Sequence, residues 1–220
     1  MYLPSQCAIC KAWPSHAICD ACVAAFGRPA LRCHQCAAVS ALKICTACLQ
    51  NPPALHACWA ALSYTWPWVS LIAQFKFQSQ PGWARHFALL MQSTPFVADA
   101  IEQADVLIPI PLSSERLSER GFNQSLVLSH QLSREKTHLS SLLRMRNTLA
   151  QSSLPRQQRL TNLKCAFAVA PFMAAKLRGQ RILLVDDVMT SGATLNAAAQ
   201  VLKQAGAVHV AALVFARTPA

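Results

Sequence analysis

The chain has 220 residues, 53% hydrophobic and only 13% charged, which excludes a disordered chain and suits one ordinary domain plus a small module. Twenty Lys+Arg against nine Asp+Glu leave a formal charge of +11, which points to an anionic partner: nucleic acid, a phosphorylated metabolite, or both. No apolar run reaches the roughly 18 residues of a membrane span, and the start MYLPSQCAICK has no basic region followed by an apolar one, so neither membrane insertion nor a secretory leader is expected.

The first element is a ladder of cysteines. Eight of them form four CxxC pairs: Cys7/Cys10, Cys19/Cys22, Cys33/Cys36 and Cys45/Cys48. The spacing CxxC-x8-CxxC occurs twice, the second copy 26 residues after the first (7→33, 10→36, 19→45, 22→48). A cytoplasmic location is expected, and there cysteines are more often metal ligands than disulfides. Each CxxC turn offers two thiolates, and two turns complete a tetrahedral zinc shell with bonds of about 2.3 Å. So short a unit buries too little apolar surface to fold alone, so the metal supplies its folding free energy. Closed four-cysteine shells make both zincs structural. Pairing within each repeat, a double zinc ribbon over residues 1–53, follows from the repeat itself. A cross-braced scheme, Cys7/Cys10 with Cys33/Cys36 and Cys19/Cys22 with Cys45/Cys48, is the alternative. An iron–sulfur cluster is the other occupant that four cysteines admit. Cys58 and Cys165 have no partner at ligand spacing and read as small buried apolar residues. His16, His34 and His56 read as surface histidines, because eight cysteines already fill two shells.

Asn51-Pro52-Pro53 closes the module, and a second domain is expected over 54–220. Residues 57–68 read as a strand or hairpin turning at Pro67. Residues 68–76 and 83–91 read as helices, the second with Phe87 and Leu90 inward. Trp59, Trp66, Trp68 and Trp83 read as core at the domain interface rather than as stacking platforms for bases. The apolar run 106–110 has the pattern of a parallel strand buried on both faces. Residues 111–116 read as a polar turn, 122–132 as an amphipathic helix and 140–145 as a strand. Residues 146–164, polar and basic, read as a mobile loop, with a return strand at 166–169. A buried strand over 181–185 ends at Asp186 and Asp187. After Thr190-Ser191-Gly192-Ala193-Thr194 comes a helix over 195–205, closed by Gly206, and a last strand over 208–215. This is a βαβ unit, and the fold class is α/β: a parallel sheet flanked by helices.

Ligands of such sheets bind beyond the carboxyl ends of the strands. A turn of small hydroxyl residues with glycine at a helix N-terminus is a phosphate cradle, because its N–H groups are unpaired and the helix dipole favours an anion. Two adjacent carboxylates just upstream suit the vicinal hydroxyls of a sugar or a divalent ion. Together they describe a ribose-5-phosphate site. The plain alternative is a capped helix after a strand that ends in solvated aspartates.

The run ILLVDDVMTSGATL over 182–195 resembles the phosphoribosyl pyrophosphate (PRPP) signature of the type I phosphoribosyltransferases. The whole chain resembles the competence protein F (ComF) family, a double zinc ribbon followed by such a domain. Phe75-Lys76-Phe77, the segment PIPL with Arg116, the run Arg120-Gly121-Phe122-Asn123-Gln124-Ser125, and Arg159 with Asn162, Leu163 and Phe167 carry the wider match. The resemblance implies that Asp186 and Asp187 contact the ribose hydroxyls, directly or through Mg²⁺. It implies that Thr190, Ser191, Gly192, Ala193 and Thr194 bind the 5-phosphate. Pro111, Leu112, Ser113, Ser114 and Arg116 take the place of the pyrophosphate loop, with Arg116 and Arg120 neutralising phosphate charge. Residues 146–164 become a flap over the site. Lys76, Gly121, Phe122, Asn123 and Gln124 are further motif positions.

Two functions follow. One is a PRPP-binding protein of DNA uptake, natural transformation or DNA utilisation that binds single-stranded DNA and meets other uptake proteins. The other is a metabolic transferase that moves ribose 5-phosphate from PRPP to an amine or base. Charge does not choose between them: seven basic residues against Glu135 lie between Arg134 and Lys164, including Arg144, Arg146, Arg156 and Arg159. A basic flap grips pyrophosphate or a single strand equally well.

Overall fold

The computed structural model describes residues 5–145 and 166–219. In chain order the elements are α1 (Asp20–Phe26), α2 (Thr46–Gln50), β1 (Ala57–Ser63), α3 (Trp68–Phe77), α4 (Trp83–Gln92), α5 (Val97–Gln103), β2 (Val106–Pro109), α6 (Ser114–Arg120), α7 (Gln124–Leu132), β3 (Leu142–Arg144), β4 (Phe167–Val169), α8 (Pro171–Leu177), β5 (Arg181–Met189), α9 (Ala193–Gln204) and β6 (His209–Arg217). Four strands form a parallel sheet in the order β1-β6-β5-β2.

Strand alternation divides the side chains between two cores. Ile108, Ile182, Leu184, Val210, Ala212 and Val214 face α8 and α9, where they meet Met173, Leu177, Leu195, Ala198 and Leu202. Leu107, Leu183, Val185, Leu213 and Phe215 face α3, α4 and α7. Phe87 stacks on Phe215 at 4.0 Å, and Trp68 meets the same ring edge-on at 6.1 Å. Both faces of the sheet are therefore covered, which is why its strands read as continuous apolar runs. Among the described residues, no helix is long and apolar enough to cross a membrane.

The structure departs from the sequence reading in several places. Of the two readings of residues 57–68 the strand holds, and the turn at Pro67 leads into α3 rather than into a hairpin partner: β1 lies parallel to β6 at the sheet's edge, Ala57 opposite Ala211. Strand β5 does not stop at Val185 but runs through both carboxylates to Met189, because β6 pairs with it over that whole length. The polar turn over 111–116 is half helix. Ser113 caps α6 by accepting from the Arg116 amide, and Gly121, at φ 75°, ends it in the left-handed region. Helices α1, α2, α5 and α8 are short, and their apolar spacing spans too few residues to register. Of the four tryptophans, Trp68 is core, donating Nε1 to the Phe26 carbonyl at 2.9 Å. Trp66, in the turn before Pro67, is instead 66% exposed and packs edge-on to Phe26.

The cysteine-rich segment sits against the sheet. The Cys58 amide donates to the His34 carbonyl at 2.7 Å, and Arg32 Nη2 donates to Ser63 Oγ at 3.1 Å. Cys58 is buried, and His16, His34 and His56 are exposed. Strands β3 and β4 pair antiparallel. The expected flap over 146–164, with Arg146, Arg156, Arg159 and Lys164, lies outside the described residues, as does Cys165.

Candidate functional site

The four Sγ atoms of Cys7, Cys10, Cys19 and Cys22 lie within 4.8 Å of one another, and so do those of Cys33, Cys36, Cys45 and Cys48. Grouping is thus within each repeat, and the cross-braced scheme is excluded. Three edges measure 3.6 Å (Cys10–Cys19), 3.7 Å (Cys36–Cys45) and 3.8 Å (Cys7–Cys22). A zinc tetrahedron with bonds of about 2.3 Å has edges of about 3.8 Å, so each group fits one ion. In each repeat the third cysteine caps a short helix that carries the fourth: Cys19 and Cys22 on α1, Cys45 and Cys48 on α2. The Cys19 amide donates to Cys7 Sγ at 3.5 Å, and the Cys45 amide to Cys33 Sγ at 3.3 Å. Burial pushes the Cys7 and Cys33 thiols up, but these and neighbouring amides outweigh it and bring both down to about 6. In the same groups burial first pushes the Cys22, Cys36 and Cys48 thiols up, so Cys7 and Cys33 are the cysteines that lose a proton most readily to a cation.

The second site lies at the carboxyl end of β5. Asp187 is 7% exposed, and its Oδ1 lies 2.9 Å from Lys76 Nζ. Asp186 Oδ1 accepts from Ser125 Oγ at 2.8 Å and from the Asp187 amide at 2.9 Å. Burial first, and then the neighbouring Asp187 charge, push the Asp186 carboxyl up to about 7; the Ser125 bond and Lys76 oppose that rise. The pair therefore has its partners from two other segments of the chain.

Those segments are built locally. Asn123 Oδ1 caps α7 by accepting from the Ser125 and Leu126 amides, while its Nδ2 donates to the Ile110 carbonyl at 3.1 Å. This one side chain fixes the start of α7 to the end of the β2 segment and sets Ser125 under Asp186. Phe75 is fully buried against Phe87 (5.4 Å) and Phe122 (5.6 Å), which fixes the last turn of α3 and so Lys76. The flanking Phe77 is exposed and carries the Arg120 guanidinium 5.1 Å from its ring centre. Arg120 also donates to the buried Gln124 at 2.9 Å.

The loop 190–192 leads into α9. Gly192 caps that helix at φ 79°, a conformation that disfavours every side chain, and a Cβ there would also collide with the end of Met189. Thr190 and Ser191 are exposed, and Ser191 Oγ accepts from the Ala193 amide at 3.4 Å. Thr194 lies in the first turn of α9. On the other side, Pro111, Leu112 and Ser113 form the loop after β2, and Ser114 and Arg116 lie on α6, Arg116 exposed. Arg144 reaches this loop: Nη1 donates to the Pro111 carbonyl at 3.4 Å, over the Phe167 ring. Burial, then Arg116, press its pKa down while Asp186 holds it up, so all three charges share one neighbourhood.

Two residues escaped the sequence reading. Ser125 stood in a recognised run, but nothing there showed its bond to Asp186. Arg217, 8% exposed, donates to the carbonyls of Met189, Thr190 and Thr218 and so holds the start of the loop. A charge ending a fully apolar strand was the available signal. Lys136, one of the seven basic residues between Arg134 and Lys164, donates to the carbonyls of Ile101, Glu102 and Ala104 at the end of α5.

The pattern of the family described as "Phosphoribosyl transferase domain" matches residues 87–220. The "DNA utilization protein YhgH" of Salmonella typhimurium is 30% identical over 227 residues, 98% of each chain. "Competence protein F" of Haemophilus influenzae is 35% identical over 170 residues, 74% of this chain and 73% of its own. "Competence protein ComFC" of Bacillus subtilis is 37% identical over 135 residues, 61% of this chain and 53% of its own.

Proposed function

The chain belongs to the competence protein F family, with a phosphoribosyl transferase domain behind two four-cysteine groups, and on that premise we propose that it binds PRPP at the carboxyl end of β5 and handles single-stranded DNA in DNA uptake or utilisation. One observation carries the ligand: the carboxylates of Asp186 and Asp187 stand one short loop away from a glycine-capped helix N-terminus. The carboxylates suit ribose hydroxyls. The amides and hydroxyls of Thr190, Ser191, Gly192, Ala193 and Thr194 suit the 5-phosphate. Pro111, Leu112, Ser113, Ser114 and Arg116, with Arg144 beside them, suit the pyrophosphate end.

Each four-cysteine group holds a structural zinc, and the ribbon module spans 1–53 with the transferase-like domain over 54–220. Mg²⁺ that accompanies PRPP belongs to the pyrophosphate oxygens, because one oxygen of each carboxylate already has a protein partner, Lys76 on Asp187 Oδ1 and Ser125 on Asp186 Oδ1, which leaves the other oxygens for ribose hydroxyls. The DNA role is supported by the names of the similar proteins and by the net charge of +11. The protein acts in the cytoplasm, where PRPP and incoming single strands meet.

The test is titration of the zinc-loaded chain with Mg-PRPP and with a single-stranded oligonucleotide, separately and in competition. Both bind, and DNA affinity falls steeply with salt. A chain that binds PRPP but no DNA is the metabolic transferase of the second reading. One that binds DNA alone has lost the ligand of its fold.

A further inference from the structure

The Lys76–Asp187 pair does more than fill space. Its N–O distance is 2.9 Å and the two side chains are 16% and 10% exposed, so the ammonium is held, not passing. It stands at the end of a helix, where the macrodipole favours a cation. Its position is fixed by the buried Phe75 before it and by Phe77, clamped under Arg120, after it. On the other carboxylate, Asp186 Oδ1 already accepts two hydrogen bonds, from Ser125 and from the Asp187 amide. Arg144 lies near enough to feel the Asp186 charge. Asp187 is thus balanced by a fixed protein cation, and Asp186 is held by fixed hydrogen-bond donors. A hydrated Mg²⁺, which gives up its waters reluctantly and demands octahedral oxygens, would meet an ammonium at the same oxygen.

We propose that Lys76 is the built-in counter-cation of the carboxylate pair: it holds Asp187 in place for a ribose hydroxyl and keeps divalent ions off, so the ribose end of the ligand is recognised without Mg²⁺. This rests on the ribose-phosphate reading of the site. Lys76 is a positioning residue here, and the ribose end differs from the pyrophosphate end in needing no metal.

Two titrations of the full, zinc-loaded chain test it. The first adds Mn²⁺ at pH 8.5 to the wild type, Lys76→Met and Lys76→Arg, read by paramagnetic resonance. Lys76→Met gains a site at least about tenfold tighter than any in the wild type, because the like charge is gone; Lys76→Arg gains none. Equal Mn²⁺ binding in all three overturns the proposal. The second adds ribose 5-phosphate, which lacks the pyrophosphate, with and without Mg²⁺. The wild type binds equally in both buffers. Without Mg²⁺, Lys76→Met loses about tenfold in affinity and Lys76→Arg keeps it within about threefold. Strict Mg²⁺ dependence of the wild type, or undiminished binding by Lys76→Met, overturns the proposal. A wild type that binds no ribose 5-phosphate in either buffer sinks the ribose reading itself, and the Mn²⁺ titration still decides whether Lys76 excludes metal. Thermal melting of each variant shows that it is folded.

Discussion

Arg217 donates through Nε to the carbonyl of Cys36 at 3.0 Å, across 181 positions of chain. Its Nη1 reaches the carbonyls of Met189, the last residue of β5, and of Thr190, the first of the loop that follows. One buried cation therefore joins the second four-cysteine group to the loop 190–192. Arg217→Met leaves several carbonyls without a donor and should cost about 2–4 kcal/mol in urea unfolding. Arg217→Lys should recover only part, since a point charge cannot span the fork. Unchanged unfolding midpoints in both variants would remove the clamp.

The grouping of cysteines has a direct chemical readout. Elemental analysis should find about two zincs per chain. The double variant Cys7→Ser/Cys22→Ser spoils one shell as grouped here, so about one zinc should remain. Cross-braced pairing would place those two residues in different shells and lose both ions. Iron, or an intact fold without metal, would contradict the ribbons.

The raised Asp186 carboxyl makes stability depend on pH in a stated direction. In the unfolded chain the group loses its proton near its ordinary 3.8; in the fold it holds it to about 7. The folded state binds the extra proton between those values, so stability falls as pH rises through that window. Asp186→Asn keeps an acceptor for Ser125 and carries no charge. Its melting temperature should exceed that of the wild type by about 2–4 °C at pH 8, and the gap should close by pH 4. A gap that widens on acidification has the wrong sign for this cause.

Gly192 supports the loop through backbone conformation alone. Gly192→Ala forces a side chain into the left-handed region and against Met189, at a cost of about 1–2 kcal/mol. PRPP affinity should fall with it, because the same residue sets the amides of α9. A variant with wild-type melting and wild-type binding would show that the turn tolerates a side chain.

The parts legible in the sequence were those whose signal is local. The cysteine repeat named its own pairing, and the strand, carboxylates, turn and helix of 181–205 lie in one continuous run. Helix α6 was hidden because its residues are all polar or exposed; its evidence lay in the Ser113 cap and in Gly121. The edge position of β1 and its parallel pairing with β6 needed a register no local pattern holds. Lys76 and Ser125 were both quoted in motifs, yet their meeting at Asp187 and Asp186 is a product of the sheet bringing α3 and α7 to one strand end.

The most direct test of the account is calorimetric titration of PRPP into the wild type and into Asp186→Asn/Asp187→Asn, both carrying two zincs and both folded by circular dichroism. The double variant should bind at least about 30-fold more weakly, because neutral amides replace the acceptors of the ribose hydroxyls. Equal affinity in the two proteins would contradict it and place the ligand elsewhere.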